Sequence, residues 1–184
     1  MIDQAEPDSR QEPAKLADAA RQWTRRAVLD IARQAGARVV TRPMFRGRPT
    51  LDMTIAQAEP MTGIAAARHL EHAARGLTRE YIRCAREDGR TWDQIGMALD
   101  LAATAARRGI PLADAAYDEA AGDPDGEYAR RYGRTFAWTC PDCQATVRDR
   151  GPSSGPADDE QGHEDDCRRL ASAIAAWEAQ WDEP

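Results

Sequence analysis

The sequence has little lysine and no long apolar run. No stretch approaches the roughly eighteen consecutive apolar residues of a membrane-spanning helix, and the opening residues MIDQAEPDSRQEPA lack the basic start and apolar run of a signal peptide. We therefore expect a protein of the cytoplasm with no membrane partner. Lysine occurs only at Lys15, and the rest of the 25 basic residues are arginine. Because alanine is also abundant, this bias indicates GC-rich coding, and arginine alone says little about function.

The sequence also lacks the common signatures of catalysis. It contains no glycine-rich phosphate loop, no nucleophile elbow and no paired catalytic carboxylates. His69 and His72 lie three residues apart, but no third ligand stands at matching spacing, so we expect a solvated helix face. The acidic runs DDE at 158–160 and EDD at 164–166 are expected to be solvated, and Cys84 is expected to be a small core or boundary residue. The prediction is that the protein is not an enzyme.

Charge is distributed unevenly along the chain. Residues 21–50 carry eight arginines against the single acid Asp30, whereas residues 112–184 carry seven arginines against seventeen acids. Although the net charge is −6, the positive and negative charges are separated along the chain, and only the N-terminal half is suited to binding phosphate groups.

Apolar spacing and turn residues predict a mostly helical protein. The first helix should place Leu16, Ala20, Trp23, Ala27 and Ile31 on one face and stop at Gly36. Segments 39–41 and 51–55 predict a short hairpin or an ordered loop. A second helix should break near Gly76 and Thr78, where a third begins and runs to Glu87, and a further short helix should cover 112–121. Segment 134–140 predicts a strand, and the final helix should bury Leu170, Ile174, Trp177 and Trp181.

The stretch TWDQIGMALDLAATAARRG, residues 91–109, has the pattern of two short helices joined by a tight turn. Thr91 is a suitable N-cap, and Trp92, Ile95 and Leu99 fall on one buried face. Gly96 has no side chain, so neighbouring helices can approach closely there. The alternative is an ordinary helical bundle that uses the same residues as core.

The segment AREDGRTWDQIGMALDL resembles the helix-turn-helix of actinobacterial regulators related to region 4 of sigma factors. Its matching positions are Trp92, Ile95, Gly96 and Leu99, and the resemblance implies DNA binding in a regulatory role. The departures fall on the reading side: Asp100 replaces the usual turn glycine and Ala102 the usual serine cap, while Ala103 and Thr104 replace residues that often read base edges.

DNA affinity would then come mainly from phosphate contacts, since a bidentate base contact typically contributes about 1–3 kcal/mol of discrimination and few such side chains remain. The candidate DNA-binding residues are Arg107, Arg108, Thr104, Arg42, Arg46 and Arg48. The alternatives are a solvated arginine face, and a protein-interaction adaptor in which the alanine face of residues 102–106 contacts a partner helix and the acidic C-terminal module docks a basic surface. That alanine face would also suit a homodimer.

Three of the four cysteines and one histidine have ligand spacing near the C-terminus. Cys140 and Cys143 are separated by two residues, and His163 and Cys167 by three; nineteen residues lie between Cys143 and His163. We expect His163 and Cys167 to share one face of a helical turn and all four residues to bind one zinc ion. Four protein ligands leave no open position, so the zinc would be structural. The alternative is a reduced cysteine pair packed as small apolar residues.

The block FAWTCPDC…VRDRGP…GHEDDCRRLA also resembles the C-terminal part of uncharacterised actinobacterial proteins that carry a similar upstream helix-turn-helix. The expected fold class is mainly α, a helix-turn-helix bundle with a small C-terminal zinc-stabilised α+β module. The expected segments are a disordered tail at 1–14, an N-terminal helix and basic connector at 15–61, a helix-turn-helix domain at 62–133 and a zinc-binding module with a C-terminal helix at 134–184.

Overall fold

A computed structural model of the chain describes residues 11–43, 54–122 and 135–180. Within these ranges the protein is mostly helical, with two small antiparallel sheets. The chain divides into two compact units, Met1–Gly76 and Leu77–Pro184; the four segments expected from the sequence stay a prediction. No helix in the described ranges combines the length and the apolar character needed to cross a bilayer.

The N-terminal unit begins with helix α1, Gln11–Gln34, which starts inside the segment expected to be a disordered tail. The helix ends as predicted, since Gly36 takes a positive φ of 76°. The predicted apolar face is packed only towards its C-terminal end: Ile31 is half-buried, whereas Leu16 and Trp23 are each 68% exposed.

A hairpin follows, which decides between the two alternatives left open by the sequence. Strand β1, Val39–Pro43, pairs antiparallel with β2, Thr54–Ala58. Helix α1 packs against β2. The residues between the strands, which include Arg46 and Arg48, lie outside the described part of the chain.

Helix α2, Pro60–Glu87, is continuous, so the predicted break near Gly76 and Thr78 is wrong. A glycine inside a helix costs only about 1 kcal/mol relative to alanine, and the remaining turns outweigh that penalty. The start of the helix is fixed by Glu59, whose carboxylate accepts hydrogen bonds from the backbone N–H groups of Met61 and Thr62 at 3.2 and 3.0 Å.

Three short helices follow in the C-terminal unit: α3, Trp92–Ala98, α4, Ala102–Arg108, and α5, Leu112–Ala121. Thr91 caps α3 as predicted, in a reciprocal capping box with Gln94. Asp100 adopts the left-handed conformation that the turn between α3 and α4 requires, with φ 54°. Helix α4 starts one residue earlier than expected, and its N-cap Leu101 makes no side-chain capping bond.

Helix α3 packs chiefly on α5, and Gly96 lies against Leu112 at the start of α5. A Cβ built on Gly96 would lie 2.7 Å from Cγ of Leu112. Trp92 and Ile95 are buried and Leu99 is half-buried, as the sequence predicted. The same hydrophobic core includes Ile82 of α2.

The C-terminal part of this unit is a three-stranded antiparallel sheet with two helices. In chain order the elements are β3, Phe136–Thr139, β4, Thr146–Asp149, α6, Pro156–Asp159, β5, Glu160–Gln161, and α7, Arg168–Ala179. The sheet order is β3-β4-β5. Strand β3 confirms that a strand lies within the predicted segment 134–140, and Phe136, Trp138 and Val147 are buried.

The face predicted to be buried on the final helix is only partly buried. Leu170 and Ile174 are only half-buried, and Trp177 is 38% exposed; Trp181 lies outside the described residues. Leu170 packs against the hydrophobic core of the unit, and polar contacts described below hold the first turn of the helix.

Candidate metal centre

The first two candidate ligands lie on the turn between β3 and β4. The backbone N–H of Cys140 donates to the carbonyl of Ala145 at 2.9 Å, and the N–H of Gln144 donates back to the carbonyl of Cys140 at 2.9 Å. Gln144 takes a positive φ of 58°, which lets the chain reverse within this short turn. The turn brings Cys140 and Cys143 to one side of the sheet.

The other two candidate ligands lie between β5 and α7, in a turn. The expectation that His163 and Cys167 share a helical turn is therefore wrong: the chain makes only a turn in which the N–H of Cys167 donates to the carbonyl of Glu164 at 3.1 Å. Asp142 joins the two ligand segments. Its carboxylate accepts hydrogen bonds from the first N–H groups of α7, at Arg168 (2.7 Å) and Arg169 (3.3 Å).

The four ligand atoms come together at distances suited to one tetrahedral ion. Sγ of Cys140 and Sγ of Cys167 are 3.7 Å apart. Nδ1 of His163 lies 3.5 Å from Sγ of Cys143 and 3.3 Å from Sγ of Cys167, and all four ligand atoms lie within 4.8 Å of one another. Sulfurs at about 2.3 Å from a zinc ion in tetrahedral geometry would be about 3.8 Å apart, and sulfur and nitrogen about 3.6 Å. Cys140, Cys143, His163 and Cys167 are therefore close enough to share a metal ion.

The chemistry of this donor set narrows the choice of metal. Three thiols and one imidazole are soft and borderline ligands, which favour zinc over the oxygen-seeking magnesium or calcium. None of the three cysteines is in a disulfide. Cys140 and Cys167 are buried, while Cys143 and His163 are half-buried. Such a closed set of protein ligands is typical of structural sites.

The thiols differ in how readily they lose a proton. The backbone N–H of Glu164 lowers the pKa of Cys143 to about 6, against the opposing effect of burial. Burial raises the pKa of Cys167 to about 11. Metal binding requires thiolates, so loading the site near neutral pH would release a proton from Cys167.

The imidazole of His163 is held from its other side by Glu160. Nε2 of His163 lies 3.3 Å from Oε2 of Glu160, while Nδ1 points at the sulfurs. A carboxylate at this position favours the tautomer with the proton on Nε2, and that tautomer leaves the lone pair of Nδ1 free for a metal.

Glu160 belongs to a buried ionic network, so the expectation that the run 158–160 is solvated is wrong for two of its three residues. Asp159 and Glu160 are each 7% exposed. Glu160 is ion-paired with Arg86 of α2 and, at 2.7 Å, with Arg169 of α7. Burial raises the pKa of Glu160, but Arg86 and Arg169 outweigh it and hold the pKa below its usual value. Asp159 accepts the N–H groups of the loop before α6.

Asp149 completes the network on β4 and is fully buried. Its carboxylate accepts hydrogen bonds from Arg86 at 3.1 Å and from the indole N–H groups of Trp92 and Trp138, both at 3.3 Å. Burial raises the pKa of Asp149 although Arg86 opposes the shift. The guanidinium of Arg169 lies 4.1 Å from the ring centroid of Trp138, and His163 meets the same ring edge-on.

The described side chains among the predicted DNA-binding residues belong to α4 and make contacts of their own. Arg108 of α4 is ion-paired with Asp118, and Arg107 is exposed and donates to the hydroxyl of half-buried Thr104 at 3.2 Å. The backbone of Arg42 lies in β1, but its side chain is outside the described part of the structure, as are Arg46 and Arg48.

The other histidine and cysteine candidates are accounted for simply. His69 and His72 are exposed on α2, as expected, and belong to no metal-binding group among the described residues. Cys84 is exposed, so its expected place at a core or boundary is wrong.

Comparison of the chain with protein-family models, with curated proteins and with solved structures finds no match.

Proposed function

We propose that Cys140, Cys143, His163 and Cys167 bind one structural zinc ion, and that the protein is a regulatory adaptor whose zinc-stabilised C-terminal unit binds another protein. The zinc part is supported by the near-tetrahedral spacing of the ligand atoms. When bound, the ion would clamp the β3–β4 turn to the start of α7. Such ligation typically contributes about 10–16 kcal/mol of apparent binding free energy that is coupled to folding.

The adaptor part is supported chiefly by the outward surface of α4. Its exposed side chains are the methyl groups of Ala102, Ala103 and Ala106 and the cations of Arg107 and Arg108, of which Arg108 is paired with Asp118. Met97 of the preceding helix is 72% exposed. Methyl groups and a methionine suit an apolar partner surface, and they offer almost no hydrogen bonds to base edges.

DNA binding is the second candidate, favoured by the exposed cation of Arg107 and by the eight arginines of residues 21–50. Against it, Arg108 is already paired with Asp118, and exposed Asp93 and Asp100 would face phosphate if α3 and α4 docked on a duplex. With little base readout available, affinity would be electrostatic and strongly dependent on salt.

Two variants of the full chain separate the candidates. Ala103→Glu places a charge on the methyl surface, and Arg107→Glu reverses the exposed cation. The adaptor proposal expects Ala103→Glu to abolish a complex recovered with the wild type by affinity purification, while binding to duplex DNA shows no slope of log K against log salt. The DNA candidate expects a clear negative slope, made shallower by Arg107→Glu. Size-exclusion chromatography identifies a second copy of the chain as the partner if Ala103→Glu converts a dimer to a monomer.

A further inference from the structure

The buried network beside the metal ligands connects them to the helical part of the same unit. Glu160 is the residue where the two meet. Its Oε2 atom faces Nε2 of His163, and its Oε1 atom is ion-paired with Arg86 near the C-terminal end of α2. One carboxylate therefore contacts a candidate ligand on one side and a helix on the other.

The side chain of Arg86 is fixed in place by several contacts. Its side chain is 7% exposed, and its donors reach Asp149, Glu160 and the backbone carbonyl of Arg90, the last at 2.7 Å. Its guanidinium also lies 5.0 Å from the ring centroid of Trp92, the first residue of α3. A shift of Arg86 would therefore disturb the junction of α2 and α3 as well as Glu160.

We infer that Glu160 is a positioning residue for the metal site. Through Arg86 it also couples metal binding at the site to the packing of α2 against α3. This inference rests on the proposed zinc site. The coupling acts in both directions. A bound ion holds His163, which fixes Glu160, and Glu160 in turn holds Arg86. Conversely, a fixed Arg86 keeps Glu160 in the position that orients the imidazole. Binding free energies coupled in this way must act equally in both directions.

The test measures the zinc affinity of the full chain by competition with a chelator at constant pH. The wild type is compared with three variants: Glu160→Ala, Glu160→Gln and Arg86→Lys. Loss of a carboxylate that orients a ligating histidine typically weakens metal binding by about 10–100-fold, which is the loss expected for Glu160→Ala. Glu160→Gln keeps an oxygen that can accept a hydrogen bond from Nε2–H of His163, so we expect a smaller loss. Arg86→Lys touches no ligand but loses the forked guanidinium, so we expect a measurable loss there too.

The matched control is Asp165→Asn, an exposed acid between the same two ligands, which should bind zinc as the wild type does. Amide hydrogen exchange measures the coupling in the other direction, from the metal site to the helices. Removing zinc should speed exchange at the end of α2 and the start of α3 in the wild type. The same change should be smaller in Glu160→Gln.

The outcomes distinguish this inference from the proposed function. A wild type that binds no zinc overturns the metal site itself. A wild type that binds zinc while Glu160→Ala and Glu160→Gln bind it equally well overturns the positioning role. Unchanged affinity in Arg86→Lys, or zinc-independent exchange at the α2–α3 junction, overturns the coupling. If Glu160→Ala does not fold, Glu160→Gln and Arg86→Lys still decide.

Discussion

Asp149 is the side chain on which most of the buried polar contacts of the C-terminal unit converge. It accepts from a guanidinium, two indoles and the backbone N–H of Gly151. Replacing it by alanine would leave Arg86 buried with one carboxylate fewer and would strand the indole N–H groups. Breaking a buried ion pair from one side typically costs about 3–5 kcal/mol.

We therefore expect Asp149→Ala to lower the free energy of unfolding by about 3–5 kcal/mol, measured by denaturant titration. The control is Asp158→Ala, which removes an exposed acid of α6 and should change stability by less than about 0.5 kcal/mol. Equal losses in the two variants would contradict the assigned role of Asp149.

The metal ligands could be predicted from the sequence, whereas their supporting residues could not. Cys140 and Cys143, like His163 and Cys167, are close neighbours in the chain, and their spacing is itself a chemical signal. Arg86 and its acidic partners are 63 and 74 residues apart. No local pattern marks such pairs, and in an arginine-rich, acidic chain they look like ordinary surface charges.

At the scale of helices and strands, Gly96 shows how a missing side chain fixes a packing distance. A Cβ there would lie 2.7 and 2.8 Å from carbons of Leu112 and 3.1 Å from its carbonyl oxygen. Overpacking of this kind typically costs about 1–3 kcal/mol. We expect Gly96→Ala to destabilise the protein in denaturant unfolding followed by circular dichroism.

The matched variant is Gly76→Ala, also inside a helix but with no atom within 4 Å of the added Cβ. Alanine there should stabilise the helix by about 0.5–1 kcal/mol. The opposite signs of the two effects are the prediction, and a stabilising Gly96→Ala would show that α3 and α5 do not approach as described.

The start of α2 should respond to pH through Glu59. The N–H groups of Thr62 and Met61 lower the pKa of this carboxyl from its usual 4.5. Because the folded pKa is the lower one, its stabilising effect is present above the unfolded pKa and is lost as the pH falls through the folded value. Titration by NMR should place the pKa of Glu59 below 4.5. Glu59→Gln should remove the acid-induced loss of amide-exchange protection at Met61 and Thr62, measured relative to the intrinsic exchange rate at each pH. A pKa at or above 4.5 would contradict the cap.

Most helices and strands followed from local signals, and the errors share a cause. The cap at Thr91 and the tight turn between α3 and α4 depend on nearby residues, so the sequence could predict them. The break expected at Gly76 was wrong because a single weak residue does not outweigh the turns on either side of it. The solvated run at 158–160 was wrong because the burial of Asp159 and Glu160 depends on partners distant in the chain.

For the whole molecule, the proposed zinc site should stabilise one part of the chain and leave another part unaffected. The ligands tie the turn between β3 and β4 to the start of α7, a helix in which no residue is fully buried. The hairpin of β1 and β2 contains none of them. Chelation of zinc should therefore raise amide exchange across residues 136–180 and leave residues 39–43 and 54–58 unchanged. Equal changes in both regions, or no change in either, would contradict a local structural site.

The most direct test is a zinc titration of the metal-free full chain, with bound metal counted by native mass spectrometry and affinity set by chelator competition. We expect one zinc ion per wild-type chain and a severe loss of zinc affinity in Cys143→Ser. Cys84→Ser should bind zinc as the wild type does, because it removes the exposed cysteine outside the cluster. A wild-type chain that stays metal-free at saturating zinc, or a Cys143→Ser variant that binds zinc as tightly as the wild type, would contradict the proposed zinc site.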